Sequence, residues 1–227
     1  MNIIEVCREQ KIKKLIALST DKASNPINLY GASKLASDKL FIAANSTYKN
    51  STSFSIVRYG NVMGSRGSLI PYLMSIKDKK LFPITDIRMT RFMISLEKAV
   101  ELVWHAFRDS LGGEIYVKKI PSMKIVDIAK AIEPKSKFNI IGTRPGEKIH
   151  EQMIGVEDSM YTYEFKDYYK ILPAINNLYK DKKRIGAGKI VAANFEYKSN
   201  LNSHWMTKTD LQKWIKSNNS DLIFVNK

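Results

Sequence analysis

A predicted strand, a short polar segment and a predicted helix follow one another near the start of the chain, and this order constrains the fold most. Residues 15–18 are apolar and predict a buried strand, after which the polar segment 19–22 and a proline-containing loop lead into the helix. Tyr30 and Lys34 lie four residues apart on it, so they share one helix face. A positive charge beside a phenol favours the phenolate, which makes such a pair a usable base near neutral pH.

A tyrosine and a lysine at this spacing also occur by chance on many helices. The strand that ends in Ser-Thr-Asp-Lys directly before them favours a catalytic interpretation, because functional side chains collect at the carboxyl ends of parallel strands. A second buried strand is predicted at 54–58, followed by a turn at 59–62. That turn suits a ligand contact for the same reason, although a plain Gly-Asn turn would also explain it.

Five sequence segments resemble one family and occur in that family's order. They read S-T-D-K-A-S-N-P-I-N-L-Y-G-A-S-K at 19–34, R-Y-G-N-V-M-G-S-R-G-S at 58–68, P-I-T-D-I-R-M-T-R-F at 83–92, K-I-P-S-M-K at 119–124 and R-P-G-E-K-I-H-E at 144–151. They are similar to segments of the extended short-chain dehydrogenase/reductases. More narrowly, they resemble the inverting UDP-N-acetylglucosamine 4,6-dehydratases that begin pseudaminic acid biosynthesis, which serves surface or flagellin glycosylation.

The resemblance implies an α/β fold: the C-terminal part of a Rossmann-type parallel sheet with a smaller mixed α/β substrate-binding lobe. Residues 1–66 and 92–120 are expected to form the remaining part of the NAD(P)-binding domain. Residues 67–91 and 121–227 are expected to form the lobe that binds the UDP-sugar.

Family members carry further residues in front, which hold the glycine turn for the cofactor pyrophosphate. The glycine-containing segments 64–67 and 186–188 are not expected to replace that turn, because neither should follow a strand and open a helix in the way that such a turn requires. The chain is therefore expected to lack the N-terminal cofactor-binding half. Whether the chain alone is active or is an inactive fragment stays open.

The resemblance also implies a catalytic set. Tyr30 would take the proton of the sugar C4 hydroxyl, Lys34 would support it and hold the cofactor ribose, and Thr20 would hydrogen-bond the same hydroxyl. Retaining dehydratases have Thr-Asp-Glu where this chain has Thr-Asp-Lys. Lys22 would remove the C5 proton and return one with inversion, while a protonated Asp21 would assist loss of the C6 hydroxyl. The division of acid and base roles among Asp21, Lys22 and Tyr30 stays open.

Two binding sets follow from the same resemblance. The cofactor, NADP or alternatively NAD, is expected to contact Ser19, Tyr30, Lys34, Tyr59, Gly60, Asn61 and Val62. The UDP-N-acetylglucosamine substrate is expected to contact Lys22, Asn61, Gly64, Ser65, Arg66, Arg88, Arg144 and Glu147. The planar fork of arginine suits a diphosphate, and Arg88 is favoured over Arg91, which could form a local salt bridge. No metal is expected.

Two alternative functions remain open. A sugar-nucleotide 4- or 5-epimerase would have the same fold, although Lys22 beside Asp21 makes simple 4-epimerisation the weaker interpretation. A non-catalytic remnant would only bind a UDP-sugar or a partner protein. A sheet without its front half would expose an unpaired edge that favours association, and a homo-oligomer is expected.

Composition limits the partners and the compartment. A formal net charge of +15 can indicate nucleic-acid binding. However, no long stretch is dominated by Lys and Arg, so no nucleic acid partner is expected. No membrane partner is expected either, because no apolar run is long enough to cross a bilayer. The single cysteine, Cys7, cannot form an internal disulfide, which fits a cytoplasmic enzyme, and a core position is expected for it.

The remaining apolar pattern predicts helices at 68–79, 96–108, 125–132 and 209–217 and strands at 114–117, 138–141 and 222–225. On the helix at 96–108, the residues expected to face inward are Ala99, Val100, Val103, Trp104 and Phe107.

Overall fold

The computed structural model describes residues 1–47 and 52–218. Its helices are α1 (Asn2–Glu9), α2 (Leu29–Thr47), α3 (Leu69–Ser75), α4 (Leu96–Asp109), α5 (Ile125–Ile132), α6 (Val156–Ser159), α7 (Lys182–Ile185) and α8 (Lys208–Ser217). Its strands are β1 (Lys14–Thr20), β2 (Ser53–Tyr59), β3 (Asn61–Val62), β4 (Leu81–Ile84), β5 (Thr90–Ile94), β6 (Ile115–Lys118), β7 (Ser122–Lys124), β8 (Lys137–Ile140), β9 (Gln152–Ile154), β10 (Thr162–Glu164), β11 (Tyr168–Ile171), β12 (Lys189–Ile190) and β13 (Tyr197–Lys198). The strand expected at 222–225 lies outside the described residues.

Two compact units share these elements. The first contains Met1–Tyr59, Glu97–Lys119 and Gln152–Tyr197, and the second contains Gly60–Leu96, Ile120–Glu151 and the described residues from 198 onward. This division differs from the predicted boundaries mainly at 152–197, which was assigned to the substrate lobe. Those residues belong to the first unit because β10, β11 and β12 extend its sheet.

The sheet of the first unit has the strand order β1-β2-β6-β11-β10-β12. Strands β1, β2 and β6 are mutually parallel, and β11, β10 and β12 continue the sheet in antiparallel fashion. The interior of β2 is buried on both faces, as is typical of a parallel strand covered by helices. The predicted α/β class with a parallel Rossmann-type sheet is confirmed.

Strand β1 is less buried than its apolar sequence predicts. Within the described residues it pairs only with β2, so it forms the edge of the sheet. Leu18 is 50% exposed, and the prediction of a buried strand is therefore wrong for this residue. Position at a sheet edge depends on which strands pair, and the composition of one strand does not reveal that.

The helices of the first unit cover the sheet through small residues. Cys7 of α1 is buried against Ile4, Ala44 and Phe54, which confirms the predicted core position. On α4 the buried residues are Ala99, Leu102 and Ala106, whereas three residues expected to face inward, Val100, Trp104 and Phe107, are exposed. That part of the prediction is wrong. Leu102 and Ala106 pack with Val57 and Tyr116 of the sheet, and the small alanine side chains allow this close approach.

As far as the structure describes it, the second unit combines short strands with the helices α3, α5 and α8 around its own core. Strands β3, β5 and β7 form one sheet, and β4 pairs with β8. Helix α5 has the predicted bounds, whereas α3 ends at Ser75, before the predicted end at residue 79. Large buried side chains of this core are Leu73, Phe82, Met89, Met123 and Leu211.

The glycine segment at 64–67 connects the strand β3 to α3. Gly64 and Gly67 have positive φ angles of 76° and 72°, which glycine adopts without strain. Strand β3 has only two residues, which is too short for a sequence pattern to reveal. Within residues 1–47 and 52–218, no helix combines the length and apolar character that crossing a membrane requires.

Candidate active site

The end of β1 brings together three residues of the predicted catalytic set. Thr20 closes the strand, and a short 3-10 turn, Asp21–Ala23, follows it. The Thr20 hydroxyl donates to Asp21 Oδ1 at 2.8 Å, and Lys22 Nζ donates to the same oxygen at 3.1 Å. The Asp21 side chain is almost fully buried, whereas that of Lys22 is about one-third exposed. One carboxylate oxygen therefore receives a hydroxyl and an ammonium.

The other carboxylate oxygen, Asp21 Oδ2, is buried and has no hydrogen-bond partner among the described residues. Buried polar atoms without a partner are rare in folded proteins and need an explanation, such as a bound water or ligand. The end of β1 thus offers an unused acceptor beside Lys22.

Helix α2 begins beside this turn and carries Tyr30 and Lys34. Asn28 Oδ1 accepts from the backbone N–H of Gly31 at 2.8 Å and so caps the first turn. Lys34 Nζ donates to the carbonyl oxygen of Leu18 in β1 at 2.7 Å. Tyr30 is 55% exposed and open to a ligand. The structure thus places the predicted tyrosine–lysine pair along the end of β1.

Tyr59 ends β2 directly across from Thr20 in the sheet register. Burial raises the pKa of the Tyr59 phenol above its ordinary value, and the nearby Tyr30 adds to this shift. Tyr59 therefore stays protonated under ordinary conditions and can act as a hydrogen-bond donor rather than as a base.

Ser19, predicted to contact the cofactor, lies in a buried polar cluster. Its hydroxyl donates to Asp38 Oδ2 of α2 at 2.8 Å, and Arg58 Nη2 donates to the same oxygen at 3.3 Å. Burial raises the pKa of the Asp38 carboxyl, while Arg58, Ser19 and Lys34 oppose that shift. The donor of Ser19 is thus occupied within the protein.

A cavity of about 840 Å³ lies within the second unit. This volume is within the range of small-molecule binding sites, roughly 300–1,000 Å³. Its wall includes three residues of the predicted substrate set, Asn61, Arg144 and Glu147. Four others, Gly64, Ser65, Arg66 and Arg88, are not among the described residues that line it.

Arg91 also lines this cavity, whereas Arg88, the arginine that the sequence favours, does not. The Arg91 guanidinium donates to the backbone carbonyls of Thr90 and Ile149 at 2.8 Å and 3.1 Å. It also lies 3.7 Å from Glu147 Oε1 and 3.6 Å from Glu151 Oε1, so the expected local salt bridge is present. Strand β5 is buried throughout. An arginine inside a buried strand needs an anionic partner, and this signal in the sequence could have identified Arg91 as a residue of the cavity wall.

Arg88 points into solvent, with 72% of its side chain exposed. It forms a bidentate ion pair with Asp86, in which Arg88 Nη2 donates to Asp86 Oδ2 at 2.6 Å and Arg88 Nε donates to Asp86 Oδ1 at 3.0 Å. Hydrogen bonds from Arg88 lower the pKa of the Asp86 carboxyl to about 2. A phosphate would therefore compete with a carboxylate already in place.

Glu147 lies on a turn in which Gly146 has a φ of 76°. Its Oε2 accepts from the backbone N–H of Arg144 at 3.4 Å, and its Oε1 accepts from the Thr85 hydroxyl at 3.5 Å. The wall thus combines two guanidinium groups with a carboxylate, which suits phosphates and sugar hydroxyls respectively.

The first unit fits the nicotinamide end of a dinucleotide cofactor. The carboxyl ends of β1 and β2 are adjacent and parallel, which is where open α/β sheets bind ligands. The exposed Tyr30 and the unpartnered oxygen of Asp21 lie beside that edge. These features are what a cofactor and a reacting hydroxyl would contact.

Together, the parallel strands, the polar turn after β1 and the tyrosine–lysine helix define a Rossmann-type fold of the short-chain dehydrogenase/reductase class. The chain belongs to the family described as "Polysaccharide biosynthesis protein", which matches residues 1–173.

Named relatives agree with this membership. The chain is 51% identical, over 218 residues, to the UDP-N-acetylglucosamine 4,6-dehydratase (inverting) of Campylobacter jejuni serotype O:2. The match covers 92% of this chain but 65% of the relative, so the chain spans less than two thirds of that relative's length. This similarity confirms the resemblance that the five segments indicated. The chain is also 42% identical, over 176 residues, to a UDP-glucose 4-epimerase of Rickettsia canadensis, covering 75% of this chain and 52% of that relative.

Solved structures have the same fold. The structure of Pen from Bacillus thuringiensis matches with a TM-score of 0.83 and 31% identity, covering 96% of this chain and 66% of that one. A dTDP-glucose 4,6-dehydratase from Bacillus anthracis, solved with NAD, matches with a TM-score of 0.56 and 18% identity. That match covers 63% of this chain and 54% of the other, and it supports the fold alone.

Proposed function

We propose that the chain carries the catalytic and substrate-binding residues of a UDP-N-acetylglucosamine 4,6-dehydratase that inverts C5. The observation that carries this proposal is Lys22, whose ammonium lies 3.1 Å from Asp21 Oδ1 at the end of β1. The similarity to the Campylobacter jejuni dehydratase supports the choice of substrate.

The UDP group would bind in the cavity of the second unit. Arg91 and Arg144 would pair with the diphosphate, since guanidinium groups bind phosphate bidentately. Glu147 would leave Arg91 and accept hydrogen bonds from the ribose hydroxyls. The Arg91 charge would then be balanced by phosphate and by Glu151, so no buried guanidinium is left without an anion.

In the first unit, Tyr30 would remove the proton of the C4 hydroxyl, with Lys34 stabilising the phenolate. Thr20 would orient that hydroxyl. NADP, proposed over NAD by resemblance, would supply the hydride chemistry between C4 and C6 when bound. Tyr30 and Lys34 would hold the nicotinamide end of the cofactor.

Elimination requires a base at C5 and an acid at the C6 oxygen. Lys22 would act as the base after passing its proton to Asp21, whose Oδ1 is already within hydrogen-bond reach. Protonated Asp21 would then donate to the departing C6 hydroxyl, and water would leave. Lys22 would finally return a proton to C5 on the face opposite to the one that lost it.

The proposal also covers the compartment, the pathway, the oligomeric state and the partners of the protein. The single cysteine, Cys7, which is buried, is consistent with a reducing cytoplasm. A role in pseudaminic acid biosynthesis and assembly into a homo-oligomer are proposed from resemblance alone. No partner beyond the sugar nucleotide and the cofactor is proposed.

The second candidate is a sugar-nucleotide epimerase, which the similarity to the Rickettsia canadensis relative favours. An epimerase returns the hydride to C4 and keeps the C6 hydroxyl. The product therefore separates the two functions directly.

The test is incubation of the purified chain with UDP-N-acetylglucosamine and NADP in deuterated water, followed by proton NMR. The expected product is a 4-keto-6-deoxy sugar nucleotide with deuterium at an inverted C5. A parallel reaction uses a chimera that adds the unmatched part of the Campylobacter jejuni relative. A C4 epimer, a product with retained C5 configuration, or unchanged substrate in both reactions would refute the proposal.

A further inference from the structure

Asp38 lies on the same face of α2 as the proposed catalytic pair, one turn beyond Lys34 and two turns beyond Tyr30. The solvent exposure of this helix face decreases from Tyr30 to Asp38. Tyr30 is exposed at its start, whereas Asp38 is buried against the sheet. The reactive end of α2 is therefore anchored from its buried end.

The carboxylate of Asp38 joins the helix to two neighbouring strands. Its Oδ2 accepts from Ser19 of β1 and from Arg58 of β2. Ser19 and Arg58 are direct register partners, so their side chains emerge side by side from one face of the sheet. The helix, β1 and β2 thus meet at one oxygen atom.

Arg58 lies between two carboxylates, those of Asp38 and Asp158. Its side chain is about 3% exposed, and Nη1 donates to the carbonyl oxygen of Met153 at 2.8 Å. The same nitrogen lies 3.7 Å from the Asp158 carboxylate. A buried ion pair of this kind is weak evidence for stabilisation, because apolar residues of similar volume often stabilise a protein equally well. The ion pair is more informative about the position of α2 relative to β1 and β2 than about stability.

Two contacts tie α2 to neighbouring residues of β1. Lys34 reaches the carbonyl of Leu18, and one turn later Asp38 reaches the side chain of Ser19. Thr20, the next residue of β1, belongs to the proposed catalytic set. A shift of the helix along the strand would therefore move Tyr30 and Lys34 relative to Thr20.

We propose that Asp38 is a positioning residue, which fixes the register of α2 against β1 and β2 and so the placement of Tyr30 and Lys34. It would touch neither substrate nor cofactor. Its kinetic consequence rests on the proposed function, since a misplacement of about 1 Å can cost roughly 100-fold in rate.

The test uses the 227-residue chain with two changes at this cluster. Asp38→Asn removes the charge and keeps the side-chain shape. Because that change leaves the buried Arg58 with Asp158 as its remaining carboxylate, a second variant combines Asp38→Leu with Arg58→Met and removes both charges of the Asp38–Arg58 pair. Glu114→Gln is the matched control, because Glu114 is a buried carboxylate of the same unit that pairs with Arg184 and Ser55.

The readout is the NMR resonances of the Tyr30 ring and the Lys34 side chain, assigned with Tyr30→Phe and Lys34→Met. Both resonances are expected to shift in the Asp38 variants and to stay in place in Glu114→Gln. With substrate, kcat should fall at least about 30-fold while KM stays within about twofold.

Unmoved resonances in the Asp38 variants, or equal shifts in Glu114→Gln, would overturn the inference. The resonance comparison needs no turnover. If the wild-type chain and the chimera both leave the sugar unchanged, the proposed function fails, while the resonances still decide the role of Asp38.

Discussion

The carbonyl oxygen of Lys22 lies where a side chain on Gly31 would have to be. A Cβ atom built on Gly31 would fall 2.3 Å from that oxygen and 3.0 Å from Pro26 Cβ. Helix α2 can therefore approach the turn after β1 only because residue 31 has no side chain. This contact sets the distance between the helix that carries Tyr30 and the turn that carries Lys22.

Gly31→Ala should therefore push α2 away from the turn. Overpacking typically costs about 1–3 kcal/mol, and the better helix propensity of alanine returns up to about 1 kcal/mol. We expect the free energy of unfolding to fall by roughly 1–2 kcal/mol, and dehydratase turnover to fall more than about tenfold through displacement of Tyr30. Urea unfolding and the NMR assay measure the two effects.

Ala32→Gly is the matched control, because the neighbouring position is exposed. It should lose about 1 kcal/mol through helix propensity alone and keep its turnover. Equal losses of turnover in both variants would show that general destabilisation, rather than the contact with Lys22, is responsible.

Lys22 is predicted to be the base at C5. Lys22→Arg keeps a positive charge beside Asp21 but supplies a group that does not give up its proton. We expect incorporation of deuterium at C5 to fall by at least about 100-fold, the typical contribution of general acid–base catalysis. The measurement is proton NMR of the sugar in deuterated water, in whichever form of the protein turns over. Incorporation at the wild-type rate in Lys22→Arg would exclude Lys22 as the base.

The two arginines of the segment at 83–92 should differ in their effect on UDP binding. Arg91→Lys keeps the charge in the cavity wall but removes the planar fork, so we expect UDP affinity to fall about tenfold or more. Arg88→Lys changes an exposed side chain paired with Asp86 and should leave affinity within about twofold. Isothermal titration calorimetry with UDP compares the two. A larger loss for Arg88→Lys would reverse the assignment.

The contrast between these arginines shows which features of the site can be predicted from the sequence and which cannot. A short apolar pattern predicts the bounds of α5 correctly, and the segment that contains both arginines lies in the unit whose cavity we propose as the UDP site. The preference for Arg91 over Arg88 rests on burial, because both residues are arginines of one segment and either guanidinium would suit a phosphate.

The same limit applies elsewhere in the chain. Helix α4 has apolar residues on more than one face, and packing of Ala106 against Tyr116 decided which face is buried. Asp38 and Arg58 were missed because their partners come from different elements, which a local pattern cannot bring together.

Alkaline pH should destabilise the first unit through its buried tyrosines. Burial raises the pKa of Tyr168 and of Tyr169 to about 12, with Asp109 and Glu164 respectively adding to the shift. An unfolded chain loses these protons near pH 10. Because the folded state holds the protons more tightly, this contribution to stability is fully present below about pH 10 and is lost as the pH rises toward 12.

The measurement is urea unfolding of the chain between pH 9 and about pH 11.5. Tyr168→Phe keeps the ring, which stacks on Phe165 with centroids 4.6 Å apart, and removes one titrating phenol. We expect its free energy of unfolding to fall less steeply with pH than that of the wild type. Tyr72→Phe, at an exposed position in the second unit, is the control and should leave the slope unchanged. A slope that Tyr168→Phe leaves unaltered would show that the Tyr168 phenol titrates alike in the folded and unfolded chain.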